Sequence, residues 1–258
     1  MRQMMRRLLH GIPLRPESPI GGIPVDSEYI IFLIDTSGSM LGPKMDQARD
    51  ALTYCLGALD ARDRFRLIRF STDVEPFEEA LLPATPQNVD RAMDWVSGIE
   101  ARGGTNIMGA LESALSGSGE SDRLHLVVFV TDGKPTIGER DAGRILRAVG
   151  EKNASAVRLH VFGVGDNLNT HLLDALAETN RGTRSYVGEK EELDSRLASF
   201  YGKVSSPVLA DLDLALGSVE IKDLYPRELP DLFKGTQLTL FGRYAGEGDD
   251  SLTLTGRL

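Results

Sequence analysis

Asp35, Ser37 and Ser39 stand two residues apart in the run Asp35-Thr36-Ser37-Gly38-Ser39, directly after the apolar stretch 29–34. One carboxylate and two hydroxyls in the turn leaving a buried strand supply most of a hard-cation site. Hydroxyls are too weakly basic to hold a soft metal, so the cluster suits Mg²⁺, with Mn²⁺ or Ca²⁺ as substitutes, over Zn²⁺. Two distant positions complete the donor set. Thr105 follows Gly103-Gly104 just before a helical pattern, and Asp132 follows the apolar stretch 124–130. Two carboxylates and three hydroxyls form a sparse shell in which waters fill the rest of an octahedron. Ser37 and Ser39 are expected to coordinate directly, the two Asp to divide between ligation and orienting bound water, and Thr105 to change shell when another ligand enters. Taken singly, each fragment also reads as plain structure: Asp35 and Ser37 as a turn, Thr105 as a helix N-cap, Asp132-Gly133 as an ordinary bend.

The elements that must position these groups alternate. Residues 29–34 and 124–130 are apolar on both faces, the pattern of central parallel strands covered by helices on both sides. Helical periodicity follows at 43–59, with Met45, Ala48, Leu52, Cys55 and Leu59 on one stripe, and at 88–99, with Val89, Met93 and Val96 inward. Further helices are read at 106–115, packing through Ile107, Ala110, Leu111 and Ala114, and at 140–149, 170–179 and 190–201. Strands are read at 64–70, 157–164 and 183–187, with a short edge strand and its turn in 74–82. The fold class expected is α/β, a doubly wound, mostly parallel sheet flanked by helices. In such a sheet ligands collect beyond the carboxyl ends of the strands, where strand order reverses. If the strands ending at Asp35 and Asp132 are central neighbours, their carboxylates meet at one rim.

Past Pro207 the rhythm changes. Residues 209–216, 219–224, 237–241 and 251–255 alternate with period two and have no helices between them, which predicts a small antiparallel β module. The expected organisation is an N-terminal segment 1–27, with 20–25 offering a strand to that module, an α/β domain 28–203, and the β module 204–258. A strand pattern running up to Leu258 without a cap reads as a boundary inside a longer polypeptide.

Bulk properties exclude several classes. A formal charge of −9 over 258 residues gives no extended nucleic-acid footprint. No apolar run approaches a bilayer span, and the cluster Arg2, Arg6 and Arg7 lacks the apolar core of a signal peptide. Cys55 is alone and falls on an apolar helix stripe, so it reads as a buried hydrophobe. His125 and His160 lie in or beside strand patterns and His171 opens a helix, which gives them structural roles or simple exposure. Gly163-Val164-Gly165 lacks the third glycine of a dinucleotide loop, since position 168 is Leu.

The set Asp35, Ser37, Ser39, Thr105 and Asp132 resembles the metal-ion-dependent adhesion site of von Willebrand factor type A domains, Asp-x-Ser-x-Ser with a distant Thr and a distant Asp. The likeness covers about residues 29–201. A narrower one links Phe32-Leu33-Ile34-Asp35-Thr36-Ser37-Gly38-Ser39-Met40, Asp63-Arg64-Phe65, Arg102-Gly103-Gly104-Thr105-Asn106-Ile107 and Thr131-Asp132-Gly133-Lys134-Pro135-Thr136-Ile137-Gly138 to the inter-alpha-trypsin inhibitor heavy chains and their bacterial relatives. It continues through Ser205-Ser206-Pro207-Val208-Leu209, Tyr225-Pro226 and Leu232-Phe233-Lys234-Gly235, and so includes the β module. Full-length relatives often carry a further β domain upstream.

This resemblance implies a non-enzymatic protein-binding module, for adhesion or assembly, in which a Glu or Asp of a partner protein supplies the last metal ligand. With two carboxylates of its own the Mg²⁺ site is roughly neutral. Binding from the site alone is then expected in the micromolar to millimolar range, about −4 to −8 kcal/mol. Met40, Lys44, Arg102, Asn106, Lys134 and Thr136 are candidate rim residues, although each reads more readily as an ordinary exposed or packing residue. Secreted relatives imply an extracellular or envelope setting, although type A domains also assemble complexes inside cells. The 190–201 helix is where family members couple the metal to an affinity switch. Two alternatives remain open: a metal that only staples loops, and a Mg²⁺-dependent phosphohydrolase with Asp35 as nucleophile. The latter lacks the carboxylate two residues on, where Ser37 stands.

Overall fold

Eight consecutive buried residues form β1 (Glu28–Asp35), and eight more form β5 (Leu124–Thr131). Strands buried on both faces must lie inside a sheet with helices on either side. The computed structural model describes residues 28–116, 124–153, 157–188, 191, 207–216, 220–227, 229–233, 238–245 and 252–257. Between β1 and β5 the chain forms α1 (Pro43–Gly57), β2 (Arg64–Phe70), β3 (Val74–Pro76), β4 (Leu82–Pro83), α2 (Pro86–Ser97) and α3 (Ile107–Leu115). After β5 come α4 (Ala142–Lys152), β6 (Arg158–Val164), α5 (Thr170–Thr179) and β7 (Arg184–Val187).

The sheet runs β3-β2-β1-β5-β6-β7, with β4 also pairing with β2. β1 lies parallel to β2 and to β5, and the pairs β5/β6 and β6/β7 are parallel too; β3 and β4 are antiparallel to β2. The chain builds outward from β1 on one side and then returns to β5 on the other. The reversal of strand order therefore falls between β1 and β5, as the sequence predicts.

One core layer takes alternate strand residues, Ile31, Leu33, Ile68, Phe70, Val127, Phe129, Leu159 and Val161, against the apolar stripes of α3, α4 and α5. All four residues expected on the packing side of α3 are buried. The intervening residues Ile30, Phe32 and Ile34 are equally buried. Cys55 is buried on α1, and burial pushes its thiol up to about 12, so it acts as a small hydrophobe. His125 and His160 are buried in strands, while His171 is exposed.

Several boundaries differ from expectation. α1 ends at Gly57, leaving Leu59 outside it. α2 starts at Pro86 because the Thr85 hydroxyl accepts the Asn88 N–H, and its buried residues are Ala92 and Val96; Val89 and Met93 are half-buried. α4 starts at Ala142, two residues late, because the Asp141 carboxylate caps it by accepting the Arg144 N–H. The helix expected at 190–201 and the strand at 20–25 lie outside the described residues.

The described residues fall into two compact units, one within Val25–Ser205 and one within Ser206–Leu258. The second contains β8 (Pro207–Leu216), β9 (Glu220–Tyr225), β10 (Leu232–Phe233), β11 (Phe241–Ala245) and β12 (Leu252–Arg257). Its pairings are antiparallel, as period-two patterning requires: β10-β8-β12 in one sheet and β11-β9 in another. The strand expected at 237–241 lies instead at Phe241–Ala245, where Phe241 pairs with Tyr225. Register against β9 decided that position, whereas the alternation in 237–241 does not specify a partner.

Candidate metal centre

Asp35 is the last residue of β1, and Asp132 directly follows β5. The two strands are parallel neighbours with Ile34 opposite Val130, so Asp35 and Thr131 come level at the carboxyl rim. The chain then turns through Ser37 into a short 3₁₀ segment, Gly38–Met40, before α1. Asp35 Oδ1 accepts the Ser37 N–H at 2.9 Å, and the Ser37 and Ser39 hydroxyls lie 3.0 Å apart. The pentapeptide thus folds the side chains of Asp35, Ser37 and Ser39 towards one another. Asp35, Ser37 and Asp132 are buried and Ser39 is exposed.

Thr105 arrives on the loop before α3, which is bonded to its neighbours through its backbone. Arg102 N–H donates to Thr36 C=O at 2.7 Å, Gly38 N–H to Gly103 C=O at 3.0 Å, and Asn106 N–H to Ser71 C=O at 2.8 Å. From the loop after β5, the Thr136 and Ile137 N–H groups both donate to Thr105 C=O, and Thr105 N–H donates to Thr136 Oγ1. Glycine is required beside it: a Cβ on Gly104 would lie 2.4 Å from Ile137 Cγ1. Thr105 is 2% exposed. It does not cap α3; that role falls to Asn106, whose Oδ1 accepts the Gly109 N–H.

The two carboxylates are held differently. Asp35 Oδ2 accepts the Thr131 hydroxyl at 2.6 Å, so both of its oxygens are engaged by donors of the chain. Burial pushes the Asp35 carboxyl up to about 6 against these hydrogen bonds, and the nearby Asp132 charge adds to the rise. Asp132 has its Oδ2 3.5 Å from the Lys44 ammonium, while its buried Oδ1 has no hydrogen-bond partner. A buried carboxylate oxygen with no donor is costly unless something outside the chain completes it. This orphaned oxygen, with hard hydroxyl oxygens and a second carboxylate nearby, fits a divalent cation. Among the described residues no three His, Cys, Asp or Glu side chains gather as a metal cage; the five-residue set has only two such groups.

Thr131 and Thr36 are part of this architecture and were not singled out by sequence reasoning. Thr131 Oγ1 donates to Asp35 and accepts the Gly133 N–H at 2.9 Å; Thr36 donates to Phe70 C=O through both its N–H and its hydroxyl. The signal for Thr131 was its place at the last position of a strand beside β1. Of the candidate rim residues, Met40 is fully buried and belongs to the core, because the 3₁₀ segment turns its side chain inward. Asn106 and Thr136 hold loops, Lys44 pairs with Asp132, Arg102 is exposed and Lys134 half-buried.

A family model described as the von Willebrand factor type A domain matches residues 28–186. Human inter-alpha-trypsin inhibitor heavy chain H4 is 34% identical over 242 residues, covering 91% of this chain and 26% of that protein. The chain spans about a quarter of the length of the curated relatives it matches. A von Willebrand factor type A protein from Catenulispora acidiphila superposes with a TM-score of 0.67 at 20% identity, over 84% of this chain and 54% of the other. Mussel byssus proximal thread matrix protein 1, in a structure described as having a zinc-occupied MIDAS motif, superposes with a TM-score of 0.54 at 14% identity, over 68% and 45%. At these identities the structural likenesses establish the fold.

Proposed function

The chain belongs to the von Willebrand factor type A domain family and is related to the inter-alpha-trypsin inhibitor heavy chains, and on that premise we propose that it is a divalent-metal-dependent protein-binding module that recognises an acidic residue of a partner. The observation that carries this reading is the buried Asp132 Oδ1, left without a hydrogen-bond partner while both oxygens of Asp35 are engaged. Asp35, Ser37, Ser39, Thr105 and Asp132 would hold the ion, with Mg²⁺ favoured by their all-oxygen chemistry and Mn²⁺ or Ca²⁺ as substitutes. The bound ion supplies an exchangeable position for the carboxylate of a partner's Glu or Asp. Thr131 and the Ser37 N–H keep Asp35 oriented, and the loop bonds around Thr105 hold its segment beside the pentapeptide.

Kinship with the heavy chains supports a binding role over a catalytic one. Ser37 stands where a phosphohydrolase of this geometry requires its second carboxylate. No helix among the described residues is long and apolar enough to cross a membrane, and the setting we infer is extracellular or at the cell envelope. The organisation we propose is 28–203 as metal-bearing domain and 204–258 as β module, with 1–27 preceding them.

Calorimetric titration of chelator-stripped protein with Mg²⁺ is expected to show one site, lost in Ser37→Ala combined with Ser39→Ala. Capture of a partner is expected with Mg²⁺ and not with chelator. A partner retained equally with metal, with chelator and by the double variant would sink the metal-bridged mechanism.

A further inference from the structure

Lys44 occupies the first turn of α1, and its ammonium reaches back over the rim. It donates to Ser39 C=O at 3.0 Å and stands 3.5 Å from Asp132 Oδ2, with its side chain only 14% exposed. Its path is shaped by the loop after β6: a Cβ on Gly165 would lie 2.7 Å from Lys44 Cε and 3.1 Å from Cδ. The glycine leaves room for the flexible end of the Lys44 side chain, and its φ of +108° is itself a conformation that L side chains rarely adopt. The fold therefore delivers a cation to the carboxylate whose other oxygen has no hydrogen-bond partner among the described residues.

Asp35, Asp132 and this ammonium are among the charges at the rim. Without metal, Lys44 offsets the charge of Asp132. A divalent ion bound to the same carboxylate would sit in the field of a resident positive charge, and like charges at this range in a partly buried site oppose each other strongly.

We propose that Lys44 is a built-in competitor of the metal: it keeps Asp132 charge-balanced in the metal-free chain and lowers the affinity for divalent cations. This rests on the metal reading above. The device would make the site empty readily and spare the metal-free fold a buried, uncompensated carboxylate.

The test is Mn²⁺ titration of the whole chain, followed by electron paramagnetic resonance, together with thermal melting in chelator, on wild type, Lys44→Met and Lys44→Arg. Lys44→Met is expected to bind Mn²⁺ about tenfold or more tightly than wild type, and to melt several degrees lower without metal, a gap that saturating Mn²⁺ closes. Lys44→Arg, which keeps the charge, is expected to stay near wild type. If wild type binds Mn²⁺ and Lys44→Met binds it equally or more weakly, or melts unchanged in chelator, the proposal is overturned while the metal reading stands. If neither wild type nor Lys44→Met binds Mn²⁺, the metal reading fails and the proposal with it.

Discussion

Asp35 and Asp132 have the same side chain at the same rim, and their surroundings give them different work. Thr131 and the Ser37 N–H engage both oxygens of Asp35, whereas Asp132 keeps Oδ1 without a donor. Thr131→Val keeps the shape but removes the donor to Asp35 and the acceptor for Gly133 N–H. It is expected to cost about 1–3 kcal/mol in urea unfolding, the range for leaving buried polar groups unpaired. At the start of β1, the strand that ends at Asp35, Glu28 is buried, and its carboxyl is pushed up to about 8 by burial and by the charge of Asp63. Its folded pKa lies above the ordinary 4.5. Its contribution is therefore intact below that value, falls as pH rises from there towards about 8, and levels off beyond. Glu28→Gln should remove this fall. Urea unfolding at pH 5 and pH 8 is expected to show wild type losing on the order of a few kcal/mol more than the variant. Equal losses would show that Glu28 ionises in the folded chain as it does in the unfolded one.

At the scale of elements, the rim depends on how tightly the loop after β5 turns towards α5. Gly133 has φ +74°, and a Cβ there would lie 2.8 Å from Leu173 Cγ, a fully buried α5 residue. Asn169 N–H, at the α5 N-cap, donates to Asp132 C=O at 3.2 Å, so helix and loop are joined at the candidate centre. Gly133→Ala meets both a backbone penalty and a clash with packed side chain, and is expected to destabilise by about 2 kcal/mol or more. It should also weaken Mg²⁺ binding by displacing Asp132. Chemical unfolding and Mg²⁺ titration of the same sample check the two effects, and a variant with wild-type values in both would contradict the account of this turn.

For the whole molecule, every residue of the candidate centre, with Lys44 and Thr131, lies in the unit within Val25–Ser205. A chain ending at Ser205 is accordingly expected to remain cooperatively folded and to bind Mg²⁺ within about threefold of the full chain, a difference below about 0.7 kcal/mol. Circular dichroism melting and calorimetry would read both. A large loss of affinity would mean that the Ser206–Leu258 unit takes part in the site.

Local chemistry made most of the sheet legible. Residues 29–34 and 124–130 are apolar on both faces, which only a covered central strand tolerates, and the turn residues at their ends announced a rim. Asp35, Ser37, Ser39, Thr105 and Asp132 could be named because their types and their positions, after a strand or just before a helix, are local properties. Tertiary structure alone decided how each of them is held. Thr131 meets Asp35 through the pairing of β1 with β5, Lys44 reaches Asp132 through a gap kept by Gly165, and Met40 turns into the core. The same holds for Phe241–Ala245, placed by its partner β9. Periodicity and turn residues record what a segment does by itself, whereas partners, register and the course of a long side chain depend on packing between segments distant in sequence.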